Sequence, residues 1–464
     1  MTGSMYAAIS GLKTHMSALA VIGNNISNVN TVGYKAARYT FNEALYTTSR
    51  SGSDGTNTAG GRNPAQNGFG ASIGTIDIDM STKNYSPTGW GLDTMIDGDG
   101  FFLVGDKIFG DDEATGSKIT LAEMTKLKSM NLTRLGNFNI DPNGYLVDGN
   151  GSVVWGFLCT EAAEAYDLAT GLPVYGDQVP AKPEPGEEVE REPNNTIWRL
   201  DEMTADQIKD LNSARKKHGL TELTNIEYTE KMTVDENDNP VPALDLNGNV
   251  IMVVKSASEP SQSLSSMRLP VLKTTTEMVE DDDGNYYIPP NAEVKKEIVW
   301  VDRDSLKDGA EVGTVESHPQ RGQQLEEGEE PGYVEYTRVE ADSVTIDEKT
   351  GALSIMTADG SFYVVGYLAI AKVTNPNGVT HVDGRYYQAL DGTGAVRVTS
   401  IGGAVAGVPS SGDSGLITGG LESSGTDLAV EITNMIAVQR GYQANTRIVT
   451  VTDSMLEELV NMKR

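Results

Sequence analysis

Three acidic turns, opening at Asp235, Asp245 and Asp281, are the first places in this sequence where chemistry could reside, because closely spaced Asp, Asn and Gly can hold calcium. An EF-hand loop needs oxygen ligands at alternating positions, a Gly at the sixth and a Glu at the twelfth, since the chain turns sharply beneath the ion. The sixth positions here are Pro240, Val250 and Tyr286, so none of the three makes that turn. Hairpin turns account for them instead. His15, His218, His318 and His381 are far apart in the chain, and Cys159 is the only cysteine, so neither a zinc set nor an intramolecular disulfide follows. Cys159 reads as a small residue at a strand edge. There is no phosphate-loop Gly-Lys-Ser/Thr, no Gly-x-Gly-x-x-Gly between strand and helix, no His-Glu-x-x-His and no Gly-x-Ser-x-Gly. Carboxylates are plentiful, yet no pair is singled out for acid–base work. The sequence therefore predicts no enzyme, no cofactor and no metal site.

The elements that would carry any function lie at the ends. Met5, Ile9, Leu12, Met16 and Leu19 recur at alternating steps of four and three, the narrow seam of an amphipathic helix, with Ser4 as its N-cap. That helix should fade through Gly23 to Lys35, where Asn and Gly specify a turn. From about Thr426 to Met462 a second helix is predicted, with Leu428, Ile432, Met435, Tyr442, Val449, Leu456 and Leu459 near one stripe. About 35 residues at 1.5 Å each span roughly 50 Å. Gly441 inside it should cost about 1 kcal/mol against Ala, which close packing against a neighbour would explain. Two narrow seams so far apart in the chain bury themselves poorly in a monomer, so the ends are expected to be mobile before assembly.

Between the ends the pattern is β. The 464 residues include 50 Gly and only 38% hydrophobic side chains, a profile of β modules with many tight turns. Ile73, Ile76 and Ile78 open a strand region, and Asp97-Gly98-Asp99-Gly100 feeds a strand at Phe101. Asn139–Val147 and Ser343–Ile355 read as strand, turn, strand. Ser361–Val373 reads as one strand, followed by a turn at Asn375-Pro376-Asn377-Gly378. Thr40–Gly70 lacks large apolar side chains and is either loop or ordered only on assembly. Gln178–Pro193 and Gly322–Pro331 read as solvated loops, and Asp210–His218 as a short surface helix. The net charge is −30, and between Thr160 and Thr345 acidic side chains outnumber basic ones 40 to 17. Nucleic acid and anionic membrane surfaces are poor partners for such a chain. No apolar run is long enough to span a bilayer, and no ordinary secretory signal opens the chain.

Four segments carry a resemblance. Gly23-Asn24-Asn25-Ile26-Ser27-Asn28-Val29-Asn30-Thr31-Val32-Gly33-Tyr34-Lys35 resembles the N-terminal signature of the bacterial flagellar rod and hook family. Ala437-Val438-Gln439-Arg440-Gly441-Tyr442-Gln443-Ala444-Asn445, with Met455–Asn461 after it, resembles that family's C-terminal motif. Ile96–Phe102 and Leu132–Phe138 match between them, in the family's order. Asp106–Asn131 departs from it as an extra segment.

The resemblance implies a mainly β fold with terminal α-helices. In it the helices form a coiled-coil core domain, and two or more β-rich outer domains are inserted between them. The expected domains are 1–70 with 421–464, 71–158 with 345–420, and an acidic outer insertion at 159–344. That insertion favours a hook-type over a distal rod subunit, because distal rod members lack the middle module. A secreted carbohydrate-active module is the alternative from another class. The resemblance further implies export through the flagellar type III apparatus to an extracellular place in the hook and basal body. Partners would be copies of itself in a helical polymer, rod and hook–filament junction proteins, and a hook cap during assembly, with torque passed from motor to filament. The expected assembly residues are the seam positions above together with Asn24, Asn25, Asn28, Asn30, Gly33, Gln439 and Asn445.

Overall fold

Both ends of the chain are helical, and the part between them is mainly β. The structure is a computed structural model. It describes residues 2–55, 60–105, 130–174, 179–180, 196–218, 220, 222–234, 240–244, 249–261, 264–277, 279–280, 286–287, 294–299, 315–316, 332–338, 344–356, 362–382, 384–405 and 407–462. The three acidic turns, His318, the Gly322–Pro331 loop, nearly all of Gln178–Pro193 and residues 106–129 of the extra segment lie outside the described residues. The α-helices among the described residues are α1 Thr2–Ser27, α2 Ala205–Lys217 and α3 Leu428–Met462. The chain divides into two compact units, one formed by Met1–Ser86 and Glu422–Arg464, the other by Pro87–Leu421.

In the first unit α1 departs from expectation at both ends. It starts at Thr2, so Ser4 lies inside the first turn and is no cap. Once a helix is nucleated each further residue costs little, and it propagates outward past its apolar face. It also runs through Gly23, Asn24 and Asn25 to Ser27. Asn disfavours helix when its side chain competes for its own backbone. Here Asn25 spends its side chain elsewhere, donating from Nδ2 to Ala37 O at 2.8 Å and to Glu431 Oε1 at 2.9 Å. The chain then turns at Asn28–Thr31 and passes Gly33, whose φ of 70° favours glycine.

Among the described residues of Thr40–Gly70, 40–43, 46–50 and 65–68 are strand rather than loop. Strands β1 (Ala37–Glu43) and β4 (Ala71–Ile78) pair antiparallel, as do β2 (Tyr46–Arg50) and β3 (Ala65–Gly68). Ala44 N donates to Gly70 O at 2.9 Å and Phe69 N to Leu45 O at 3.0 Å, joining the two pairs into one long ribbon. Its distal half is exposed on both faces, so no alternation of apolar residues marks it in the sequence. The ribbon lies along α1, with Ser10 Oγ donating to Phe69 O and Thr14 Oγ1 to Ala71 O. At Gly70, φ 105°, a Cβ would overlap Ser10 Oγ, so only glycine lets the crossing be this close.

In the second unit β5 (Asp93–Asp97) and β6 (Phe101–Gly105) flank the Asp-Gly-Asp-Gly turn. Arg134 Nη1 donates to Gly98 O and Gly100 O there, so the second and third motifs meet in one place. Strands β7 (Val153–Glu161), β8 (Ala352–Met356) and β9 (Phe362–Val373) follow. β9 is central, pairing with β6, β7 and β8. Its near-continuous apolar run is buried on both faces, around Phe102, Leu368 and Ile370. The strand-turn-strand readings at Asn139–Val147 and Val344–Ile355 hold. A second core forms where α2 packs through Ile208 and Leu211 on Tyr166, Met203 and Val254. α2 is thus longer than the expected surface helix and half-sunk. Its apolar positions at 208 and 211 recur at helical spacing, but its many charges mask them in a short window.

Candidate assembly surface

α1 and α3 pack antiparallel. Asn25 meets Glu431, Ala18 and Ile22 pack with Met435 and Val438, Gly441 faces His15, and Gly11 faces Asn445. On α3 the positions turned inward are Met435, Val438, Tyr442, Asn445, Val449, Thr452 and Leu456, at steps alternating three and four. Each is buried or half-buried. On α1 the buried positions are Ala8, Gly11, Thr14, Ala18, Ile22 and Asn25. This stripe lies beside the expected one, and its residues are mostly small. The reason is steric: side-chain bulk sets the distance between helix axes. A Cβ on Gly11 would stand 2.6 Å from Asn445 Nδ2, and one on Gly441 would stand 2.7 Å from His15 Cε1. The neighbour expected to explain Gly441 is therefore α1 of the same chain, and the ends are packed together within one chain.

The large apolar residues are displaced from that seam. Met5, Ile9, Leu12 and Leu19 are half-buried, and Met16 is exposed. On α3 the stripe divides: Leu428, Ile432, Gln439 and Leu459 are exposed, as are Val430 and Ile436. Ile448, Val451, Met455, Leu459 and Met462 form a second stripe at steps of three, four, four and three, between 41% and 76% exposed. Contiguous open apolar strips of this length are uncommon on monomeric proteins.

Part of the Asn-rich turn is an internal staple, while Asn24 is exposed. Asn25 is buried, and its Oδ1 also accepts Ala37 N–H at 3.0 Å and the Tyr34 hydroxyl at 3.0 Å. Burial, and then the Glu431 carboxylate, raises the Tyr34 phenol above its ordinary value. Asn24 donates to Tyr34 Oη, and Asn28 Nδ2 returns to Asn24 O. Asn30 is exposed. Gly33 N donates to Glu422 O at 2.7 Å. Below it Lys35 and Glu422 form an ion pair of 2.7 Å with side chains 0% and 1% exposed. Lys35 Nζ also donates to Ser81 O, and Glu422 Oε1 accepts Lys83 N–H. Sequence reasoning passed over Glu422, Glu431 and the small stripe Ala8-Gly11-Ala18. The readable signal was Glu431 at a seam position of an apolar stripe, where an unpartnered acid is costly.

No group of three His, Cys, Asp or Glu among the described residues could hold a metal. No described helix is long and apolar enough to cross a membrane. Cys159 is buried in β7, and burial pushes its thiol up to about 12 despite a hydrogen bond with Thr224.

Residues 5–35 match the family described as flagella basal body rod protein, and residues 417–462 that described as flagellar basal body rod FlgEFG protein C-terminal. The chain is 25% identical over 500 residues to the flagellar hook protein FlgE of Borreliella burgdorferi, all of both chains being covered. It is 23% identical over 510 residues to that of Treponema pallidum, again with full coverage of both. The flagellar basal-body rod protein FlgG of Bacillus subtilis is 42% identical over 151 residues, covering 32% of this chain and 50% of that protein.

Proposed function

As a member of the flagellar rod and hook family, this chain is, we propose, a structural subunit of the flagellar hook. The observation that carries the reading is the full-length similarity to hook proteins, set beside an apolar stripe on α3 that the chain itself leaves open. Copies pack through that stripe in a heterologous, non-closing arrangement, which generates a helical polymer. α1 and α3 form its coiled-coil core, with Met5, Ile9, Leu12, Met16 and Leu19 on the side turned to neighbours. The acidic charge of the inserted β-rich segment 159–344 keeps the monomer soluble. The product is a curved, flexible tube that passes torque from motor to filament. Its subunit is exported through the flagellar type III apparatus, assembles beneath a cap, and meets rod and junction proteins at the two ends.

Charge placed on the open stripe tests this. Val451→Glu with Met455→Glu is expected to abolish tubes in electron micrographs while the monomer keeps its helical circular dichroism. Tubes that form normally from that variant refute the reading. The 42% identity to a rod protein supports a second reading, a distal rod subunit. Cells lacking the gene decide between them: a missing hook on a complete rod supports the first, an incomplete rod the second.

A further inference from the structure

Within the second unit, β7 accompanies β9 only part of the way. It pairs from Gly156–Leu368 to Leu158–Gly366, then leaves to pair with the strand Met252–Pro260 of the acidic insertion, Cys159 opposite Pro260. Two residues before Gly366 stands Val364, with Ser354 of β8 opposite it on one side. The N–H and C=O of one residue in an antiparallel strand point the same way. At Val364 both are bonded by a single side chain. Asn225, on the insertion's strand Thr224–Glu230, donates from Nδ2 to Val364 O at 2.8 Å and accepts Val364 N–H on Oδ1 at 2.7 Å. Nδ2 also donates to Ser258 Oγ at 2.7 Å, which fixes the orientation of the amide. Beside it the Tyr363 hydroxyl donates to Glu227 Oε1. Asn225 is also the non-glycine residue with a left-handed backbone among the described residues, at φ 51°. Gly, Asn and Asp tolerate that conformation best. Gly has no side chain to offer and ionised Asp no N–H, so the backbone and the bonds to Val364 together select Asn.

We propose that Asn225 is a latch: its side-chain amide stands in for a further strand beside β9 and locks the acidic insertion to the sheet, so that the two move as one body. The latch goes beyond the hook reading and stands whatever the chain assembles into. Its two bonds to Val364 join neutral groups, so salt does not screen them as it would an exposed ion pair.

Spin labels in the full-length chain test it, one at Ser213→Cys on α2 and one at Arg397→Cys on the strand Val396–Ser400, both exposed positions. Cys159 is buried and stays unlabelled. With Asn225 in place the distance between the labels should show one narrow distribution. Asn225→Gly keeps the left-handed backbone and removes the amide, so the distribution should broaden. In that variant the Val364 amide should exchange about tenfold faster, the factor for roughly one lost hydrogen bond, while Leu368 and Ile370 deeper in β9 keep their rates. Asn225→Asp sets a carboxylate oxygen against Val364 O and should broaden the distribution alike, which keeps the test in force if the glycine variant folds poorly. A distribution that stays narrow in both variants overturns the latch. So does exchange that rises equally at Val364, Leu368 and Ile370, since that is general loss of stability rather than release of one contact.

Discussion

Neutralising Glu422 should unfasten the first unit. The Lys35–Glu422 pair is 2.7 Å long and shut off from water, with side-chain exposures of 0% and 1%. Removing one partner of a buried pair leaves an uncompensated charge and costs about 3–5 kcal/mol. In Glu422→Gln the Lys35 ammonium keeps the carbonyls of Ser81 and Met80, at 2.8 and 3.4 Å, so the lower end, about 3 kcal/mol, is expected. With a urea slope of about 2 kcal/mol per molar, the midpoint falls by about 1.5 M. The assay is urea unfolding followed by circular dichroism at 222 nm, where α1 and α3 dominate. The double variant Lys35→Met with Glu422→Leu removes both charges and should recover to within about 1 kcal/mol of the unaltered chain, since apolar replacement of a buried pair is often neutral. A single-variant loss below about 1 kcal/mol, or a double variant as weak as the sum of the singles, would refute the argument.

Gly441→Ala gains about 1 kcal/mol of helix propensity but drives a methyl against His15, so it should lower the melting temperature. In a His15→Ala background the same change should raise it, and an unchanged sign would show that His15 is not the obstacle. Cys159 should resist iodoacetamide at pH 8 in the folded chain and react once unfolded, because its thiol sits at about 12; rapid native labelling contradicts its burial. Burial alone would push Asp79 up, but hydrogen bonds from Lys83 and Ser81 outweigh it and hold the carboxyl at about 2. Its depressed value stabilises the fold above the unfolded carboxylate's value near about 3.9, and that contribution is lost as pH falls through about 2. NMR should place the Asp79 titration near that value, and Lys83→Met should return it toward the ordinary range. An identical titration in both proteins rules out Lys83 as the cause.

Some of this molecule was legible in one dimension. Two terminal helices, the strand at β9 and the turns at Gly98 and Gly144 follow from local rules, since helical periodicity, apolar runs and left-handed glycines act over a few residues. The Asn24–Gly33 segment stood out by its turn-forming residues and Gln439–Asn445 by its family resemblance, though neither disclosed what it touches. Ile73, Ile76 and Ile78 marked β4, but the distal half of the ribbon was invisible, because strands exposed on both faces need no apolar alternation.

Which face of each helix points inward was settled only by three-dimensional packing. Periodicity identifies a stripe of large apolar side chains, but two backbones approach closely where side chains are small. α1 therefore turned Ala8, Gly11 and Ala18 toward α3, and displaced Met16 outward. The same holds for Lys35 and Glu422, which are 387 residues apart and read alone as surface charges. Residue types and local spacing dictate which elements form. Only the meeting of distant segments decides which side chains lose water, because burial belongs to the pair and not to either strand of sequence.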